Sequence, residues 1–242
     1  MNRCDAVVFD VDGTLAETER DGHRVAFNRA FAEAGLPWQW DEPLYSELLA
    51  VTGGRERIAH YAQRFAPQWL ADERAAARIA ALHRRKNEHY AAIVEAGELQ
   101  LRPGLPQLID TLAAAGLRLA IATTTSRANV EVLLRATLGV DALSRFEFAV
   151  CGEDVARKKP DPEAYLQALQ RLRLPAAHCV AVEDSANGLR AALAAGMPTV
   201  IVRSLYTRDE DFAGALAVFD GYAEGRPAAG DRLLFPAVFI GR

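Results

Sequence analysis

The sequence predicts an α/β protein: a doubly wound, parallel-sheet core of the Rossmann-like kind with an all-α helical domain inserted into it. Two patterns predict this. From residue 102 onward, short apolar runs of strand length alternate with stretches of helical periodicity, the rhythm of parallel strands joined by right-handed crossovers. Between the first apolar run, Ala6-Val-Val-Phe9, and that alternating region lie about eighty residues with helical spacing and no strand-like run, which read as a module of their own. The expected division is a core of residues 1–16 and 100–242 and a helical cap of residues 17–99.

The elements follow in order. Ala6–Phe9 is a buried strand, uniformly apolar as parallel strands are. Ala26, Phe27, Ala30, Phe31 and Ala34 fall at helical spacing and stop at Gly35-Leu-Pro37. Trp38, Trp40, Leu44, Tyr45, Leu48 and Leu49 supply packing for a second helical segment, a third starts after Thr52-Gly53-Gly54, and a long one runs from about Leu70 to Glu95. Leu105 to Ala115 reads as a helix stopped by Gly116, followed by strand Leu117–Ala122. Helix Arg127–Leu138, strand Phe146–Val150, helix Pro162–Leu172, strand Val180–Val182, helix Asn187–Ala195 and strand Thr199–Val202 complete the expected core. An apolar tail, Leu233 to Ile240, is given no position.

Composition narrows the function classes. Half of the 242 residues are hydrophobic and a quarter charged, as in ordinary soluble enzymes. A net charge of -4 gives no electrostatic reason to expect nucleic acid, so an anionic substrate must be held by local cations. Cys4, Cys151 and Cys179 are too few and too scattered for a zinc knuckle or disulfide framework. They suggest buried thiols in a reducing compartment. Without an apolar signal region or a run long enough to span a bilayer, a cytoplasmic monomer with no membrane partner is expected.

In a doubly wound sheet, ligands bind at the carboxyl ends of the strands. Polar clusters occur there four times: Asp10-Val-Asp12-Gly-Thr14, Thr123-Thr-Thr-Ser126, Lys158-Lys159-Pro160, and Glu183-Asp184-Ser185. Each has a plain structural reading when taken alone. The first could be a turn, the second a capping run, the third a solvated loop and the fourth a helix N-terminus. All four on one edge of one sheet point instead to an active site.

The chemistry that suits them is phosphoryl transfer. Side chains at i and i+2 point the same way along a strand, so Asp10 and Asp12 reach one small volume. Two carboxylates that close repel unless a cation lies between them or one holds a proton. One of them serves as the nucleophile, giving an aspartyl-phosphate that water later cleaves; Asp10 is the expected one, although spacing alone does not decide between them. Mg2+, a hard cation with oxygen ligands, suits the side chains of Asp10 and Asp184, leaving the Asp12 carboxylate to protonate the leaving oxygen and then activate water. Thr123 and its neighbours Thr124, Thr125 and Ser126 offer hydroxyls at a helix N-terminus for phosphate oxygens. An ammonium near the transferring group is worth roughly 4 kcal/mol gross at ~4 Å and an effective dielectric of ~20; Lys159 is chosen over Lys158 because Pro160 fixes the turn after it.

In these four motifs and their order, the chain resembles the haloacid dehalogenase-like hydrolase superfamily. The resemblance implies Asp10 as nucleophile, Asp12 as acid/base whose backbone carbonyl also binds magnesium, and Glu183 supporting the site, with the helical insertion as a cap. Within the superfamily, Asp12-Gly-Thr-Leu-Ala-Glu17-Thr-Glu19, Trp40-Asp41 to Tyr45, Thr52-Gly53-Gly54-Arg55-Glu56-Arg57, Ala122 to Ser126 and Tyr206-Thr-Arg208 are similar to the Calvin-cycle-associated CbbY-type phosphatases. That resemblance implies xylulose-1,5-bisphosphate as substrate, with Glu19, Tyr45, Gly53, Gly54, Arg55 and Lys86 recognising sugar and distal phosphate. A bisphosphate offers hydroxyls to Glu and Tyr and a second dianion to Arg. A phosphoglycolate-type phosphatase and a β-phosphoglucomutase-like mutase are the alternatives. A non-catalytic binding protein would be plausible only if Asp10, Asp12 or Lys159 were missing. One departure stands out: Arg20-Asp21-Gly22 between Glu19 and His23 is one residue longer than the family spacing, and the extra residue, with its glycine, predicts a kink in the first cap helix.

Overall fold

In the computed structural model, residues 4–222 and Phe239 are described. Two compact units are formed, one from the chain up to Glu17 and from Gln100 on, the other from Thr18–Leu99. In chain order, β1 (Ala6–Phe9) opens the first unit. The second holds α1 (Arg24–Glu33), α2 (Glu42–Leu48), α3 (Gly54–Phe65) and α4 (Ala75–Glu95). The first resumes with α5 (Leu105–Ala114), β2 (Arg118–Ala122), α6 (Arg127–Leu138), β3 (Ala149–Val150), α7 (Glu163–Leu172), β4 (Cys179–Glu183), α8 (Ala186–Ala194), β5 (Thr199–Val202) and β6 (Ala217–Phe219).

The strands of the first unit make a parallel sheet in the order β3-β2-β1-β4-β5-β6. All four residues of β1 are buried, as strands covered on both faces must be. Ala6 and Val8 share one face with Ala120, Ala122, Cys179 and Ala181, and pack there against Tyr165, Ala168 and Leu172 of α7 and Ala191 and Ala192 of α8. The small alanines let helix and sheet approach closely, while each fully buried Leu, Val or Phe contributes about 1.5–3 kcal/mol.

Two elements differ from expectation. The strand expected over Phe146–Val150 is only two residues long, although Glu147 N still donates to Leu119 O at 2.8 Å and Ile121 N to Phe148 O at 3.1 Å. β6 escaped the sequence reading because a run of three residues carries no periodicity. The tail Leu233–Ile240 lies outside the described residues apart from Phe239, which is buried. No helix among the described residues is long and apolar enough to cross a membrane.

The helical unit is built around aromatic rings. Phe27 and Phe31 of α1 meet Trp40 at 4.6 and 4.8 Å, and Trp38 and Trp40 meet Tyr61 of α3 at 5.2 and 5.3 Å between centroids. Arg20-Asp21-Gly22 lies in a π-helical turn, Glu19–His23, that leads directly into α1. Gly22 is the residue that permits it: a Cβ there would stand 2.7 Å from Leu99 Cδ1 and 3.1 Å from Tyr90 Cε2.

Candidate active site

Register brings the first carboxylates together. Phe9 is paired with Val182 across β1 and β4, so the next residues, Asp10 and Glu183, leave adjacent strands level with one another and on the same face. Between them enters Lys159, from the loop before α7. Its Nζ lies 2.6 Å from Asp10 Oδ1 and 2.5 Å from Glu183 Oε1, and donates to Ala122 O at the end of β2 at 2.8 Å. All three side chains are buried. Lys158 turns the other way and holds Gly152 O at 3.0 Å.

Asp184, at the start of the turn into α8, completes the group. Ligand oxygens of Asp10, Glu183 and Asp184 all lie within 4.8 Å of one another. Gly13 makes the approach possible: its φ is +80°, and a Cβ there would overlap the Asp184 carboxylate. Burial pushes the carboxyls of Asp10 and Asp184 above their ordinary range, and the neighbouring carboxylates push them further. For Asp10, Lys159 pulls the other way. For Lys159, burial would lower the pKa, but Asp10 and Glu183 together outweigh it and keep the ammonium charged. Two of the three buried carboxylates pair with one buried ammonium and Asp184 stands beside them, a surplus of negative charge that a divalent cation with oxygen ligands would neutralise. Asp12, two residues beyond Asp10 and half-buried, adds to the upward push on Asp10.

Thr123 is buried at the end of β2, and its hydroxyl accepts from Thr125 N at 3.3 Å. Thr124 and Thr125 are half-buried. The Thr125 hydroxyl accepts from Asn129 Nδ2 at 3.2 Å, and Ser126 caps α6 by accepting from Asn129 N. The hydroxyl run therefore serves as a capping cluster whether or not it also meets phosphate.

In the helical unit the expected binding residues are placed unequally. The Tyr45 hydroxyl donates to Glu19 and accepts from Arg57 Nη1 at 2.9 Å, and Tyr45 has no exposed surface. It orients Glu19 from within the helical core. Lys86 is buried, with Nζ 2.7 Å from His23 Nδ1 and lying over the rings of Phe27 and Tyr90 at 5.0 and 5.3 Å. Gly53, with φ +97°, and Gly54 begin α3, and Arg55 in its first turn is exposed.

Four supporting residues were given no role of their own from the sequence. Tyr165 donates to Glu183 Oε1 at 2.5 Å and carries the Lys159 ammonium 4.9 Å over its ring. Ser204 hydrogen-bonds the Asp184 carboxylate. A Cβ on Gly188 would run into the Glu183 carboxylate. Arg57, buried behind Glu19, donates to the carbonyls of Leu48 and Val51 at 3.2 and 3.3 Å. Only Gly188 had a legible signal, a glycine in the first turn of a helix where nothing local asks for one.

The fold and this cluster of carboxylates around one lysine define a class, and the chain belongs to it: it is a haloacid dehalogenase-like hydrolase, the family model matching residues 4–196, and within that family a phosphatase. More particularly, it is 51% identical over 213 residues to the plasmid CbbY protein of Cupriavidus necator, covering 88% of this chain and 84% of that protein. A phosphoglycolate phosphatase of Rhodospirillum rubrum is 34% identical over 238 residues, 96% of this chain and 91% of that protein. A mutant CbbY from Rhodobacter sphaeroides, solved in complex with xylulose-(1,5)bisphosphate, superposes with a TM-score of 0.84 at 45% identity, covering 94% of this chain and 98% of that one.

Proposed function

We propose that this phosphatase is magnesium-dependent, works through an aspartyl-phosphate on Asp10, and converts xylulose 1,5-bisphosphate to xylulose 5-phosphate and inorganic phosphate. The observation that carries the mechanism is the buried group of Asp10, Glu183 and Asp184 around Lys159. Asp10 and Asp184, with the backbone carbonyl of Asp12, would hold Mg2+, which when bound supplies positive charge against the phosphate oxygens and the carboxylates.

Asp10 attacks phosphorus, forming its own bond to it as the ester oxygen departs. Asp12 gives that oxygen a proton, and in the second half takes one from the water that cleaves the aspartyl-phosphate, so its proton is restored. Lys159 neutralises the carboxylates facing an incoming dianion, and Thr123 steadies the phosphate with Thr124, Thr125 and Ser126. Recognition of sugar and distal phosphate falls to Glu19, Tyr45, Gly53, Gly54, Arg55 and Lys86, with Tyr45 acting through Glu19. The likeness to a CbbY protein crystallised with the bisphosphate supports the substrate. Three free thiols support a reducing, cytoplasmic setting, and a monomer suffices for this chemistry.

The test is a phosphate-release panel on purified protein, with and without Mg2+: xylulose and ribulose bisphosphates, phosphoglycolate and β-glucose 1-phosphate. The expected result is release from xylulose 1,5-bisphosphate well above the others, lost on chelation. Preference for phosphoglycolate, or conversion of the glucose phosphate without phosphate release, would overturn the substrate.

A further inference from the structure

The turn carrying Asp10 and Asp12 closes on its own backbone through Leu15 N to Val11 O at 2.7 Å and Gly13 N to Ala16 O at 2.8 Å. The carbonyls of Gly13 and Thr14, in the middle of that turn, are taken by two side chains from distant parts of the same unit. Arg102 Nη1 donates to Gly13 O at 2.6 Å and to Val202 O at 2.9 Å, while its Nη2 donates to Arg203 O at 2.6 Å and Asp220 O at 3.3 Å. Tyr222 Oη donates to Thr14 O at 3.0 Å, and the Arg102 guanidinium lies 5.6 Å over its ring. Arg102 N also donates to Leu15 O at 2.9 Å.

This is an unusual use of a buried cation. Both side chains are under a tenth exposed. Among the described residues Arg102 forms an ion pair with Glu17, 3.7 Å from Nε and half-exposed, while four neutral carbonyls lie closer as its main partners. A planar fork with fixed donor directions can bridge several carbonyls at once, which a point-charge ammonium cannot. The bridge ties the turn to the ends of β5 and β6, and the guanidinium's charge opposes the rise that burial imposes on the Asp184 carboxyl.

We propose that Arg102 and Tyr222 are positioning residues for phosphoryl transfer, pinning two successive carbonyls of the Asp12–Thr14 turn so that Asp10 is held to attack phosphorus and Asp12 to pass the proton. The inference rests on the roles given above to Asp10 and Asp12. It predicts an effect on turnover more than on binding, since a displacement of about 1 Å in a reacting group costs about a hundredfold.

The experiment measures hydrolysis of p-nitrophenyl phosphate in excess MgCl2 by the wild type, R102K, R102A, Y222F and D10N, with melting temperatures alongside. Expected are a kcat about ten- to a hundredfold lower in R102K and Y222F, with KM within about threefold, and partial restoration of R102A by guanidinium ion but not by equal sodium chloride or urea. Wild-type kcat in folded R102K or Y222F, even with a lower melting temperature, would overturn the proposal, as would a folded R102A that guanidinium fails to restore. Should the Arg102 variants not fold, Y222F alone decides, because it removes a single hydroxyl. Activity surviving in D10N would instead remove the nucleophile assignment, whereas an inactive D10N beside an unimpaired Y222F removes only the pins.

Discussion

The ammonium of Lys159 lies 2.6 Å from Oδ1 of Asp10, a contact that joins residues 149 positions apart. The same ammonium is 2.5 Å from Glu183 and is buried with both carboxylates, so it belongs to the resting charge balance beside the catalytic role proposed for it. Replacing Lys159 by Met leaves that negative charge uncompensated. Removing one partner of a buried pair costs about 3–5 kcal/mol. Urea denaturation of K159M should therefore show a large loss at neutral pH and a smaller one near pH ~5, where protonation relieves the repulsion; phosphate release should fall to background.

Metal-free protein should respond to pH in an uncommon direction. Asp10 and Asp184 have carboxyls raised by burial and by one another. An acid whose folded pKa exceeds its unfolded value binds more protons when folded throughout the interval between the two, so stability falls as pH rises from the ordinary carboxylate range toward neutrality. With EDTA, the melting temperature should be higher at about pH 5.5 than at about pH 7.5, and MgCl2 should raise the value at the higher pH most. A flat EDTA profile across that interval would show that the carboxylates do not repel as their burial implies.

Arg55 sits exposed in the first turn of α3. If it grips a distal phosphate bidentately, Arg55→Ala should raise KM for xylulose 1,5-bisphosphate by about ten- to a hundredfold, the loss of about 1.5–3 kcal/mol of charge-assisted hydrogen bonding. A monophosphate such as p-nitrophenyl phosphate should be unaffected. Equal losses on both substrates would remove Arg55 from that role.

Gly188→Ala tests how tightly α8 lies on the site. The added methyl would overlap the Glu183 carboxylate, forcing either the helix or Glu183, and with it Lys159, to move. Overpacking of this kind costs about 1–3 kcal/mol, and kcat should drop together with the melting temperature. A variant that melted lower yet kept full turnover would mean that the helix yields and Glu183 does not.

Much of the architecture was legible without coordinates, and the reason is local. A parallel strand buried on both faces must be an apolar run, and a helix must carry apolar residues every three to four positions. β1, α6 and β5 could therefore be bounded from residue type alone, and the polar residues that interrupt each run marked the candidate edge of the sheet. An irregularity after Glu19 was also expected, from the glycine and the spacing in that stretch. That it would become a π-helical turn, with Gly22 against Tyr90 and Leu99, depended on what stood opposite.

Sequence by itself thus determined the fold class, the sheet edge that carries the candidate site, and Asp10, Asp12, Lys159 and Asp184 as its candidates, because strand alternation and motif order are properties of neighbouring residues. Only the tertiary structure decided that Lys159 faces two carboxylates while Lys158 turns to Gly152, that Tyr45 works from behind Glu19, and that Arg102 and Tyr222 reach the catalytic turn. Those contacts join residues from 6 to 208 positions apart. Their partners are mostly backbone carbonyls or single side-chain atoms, which leave no periodicity in the chain and exist only once register and packing have brought them within hydrogen-bond reach.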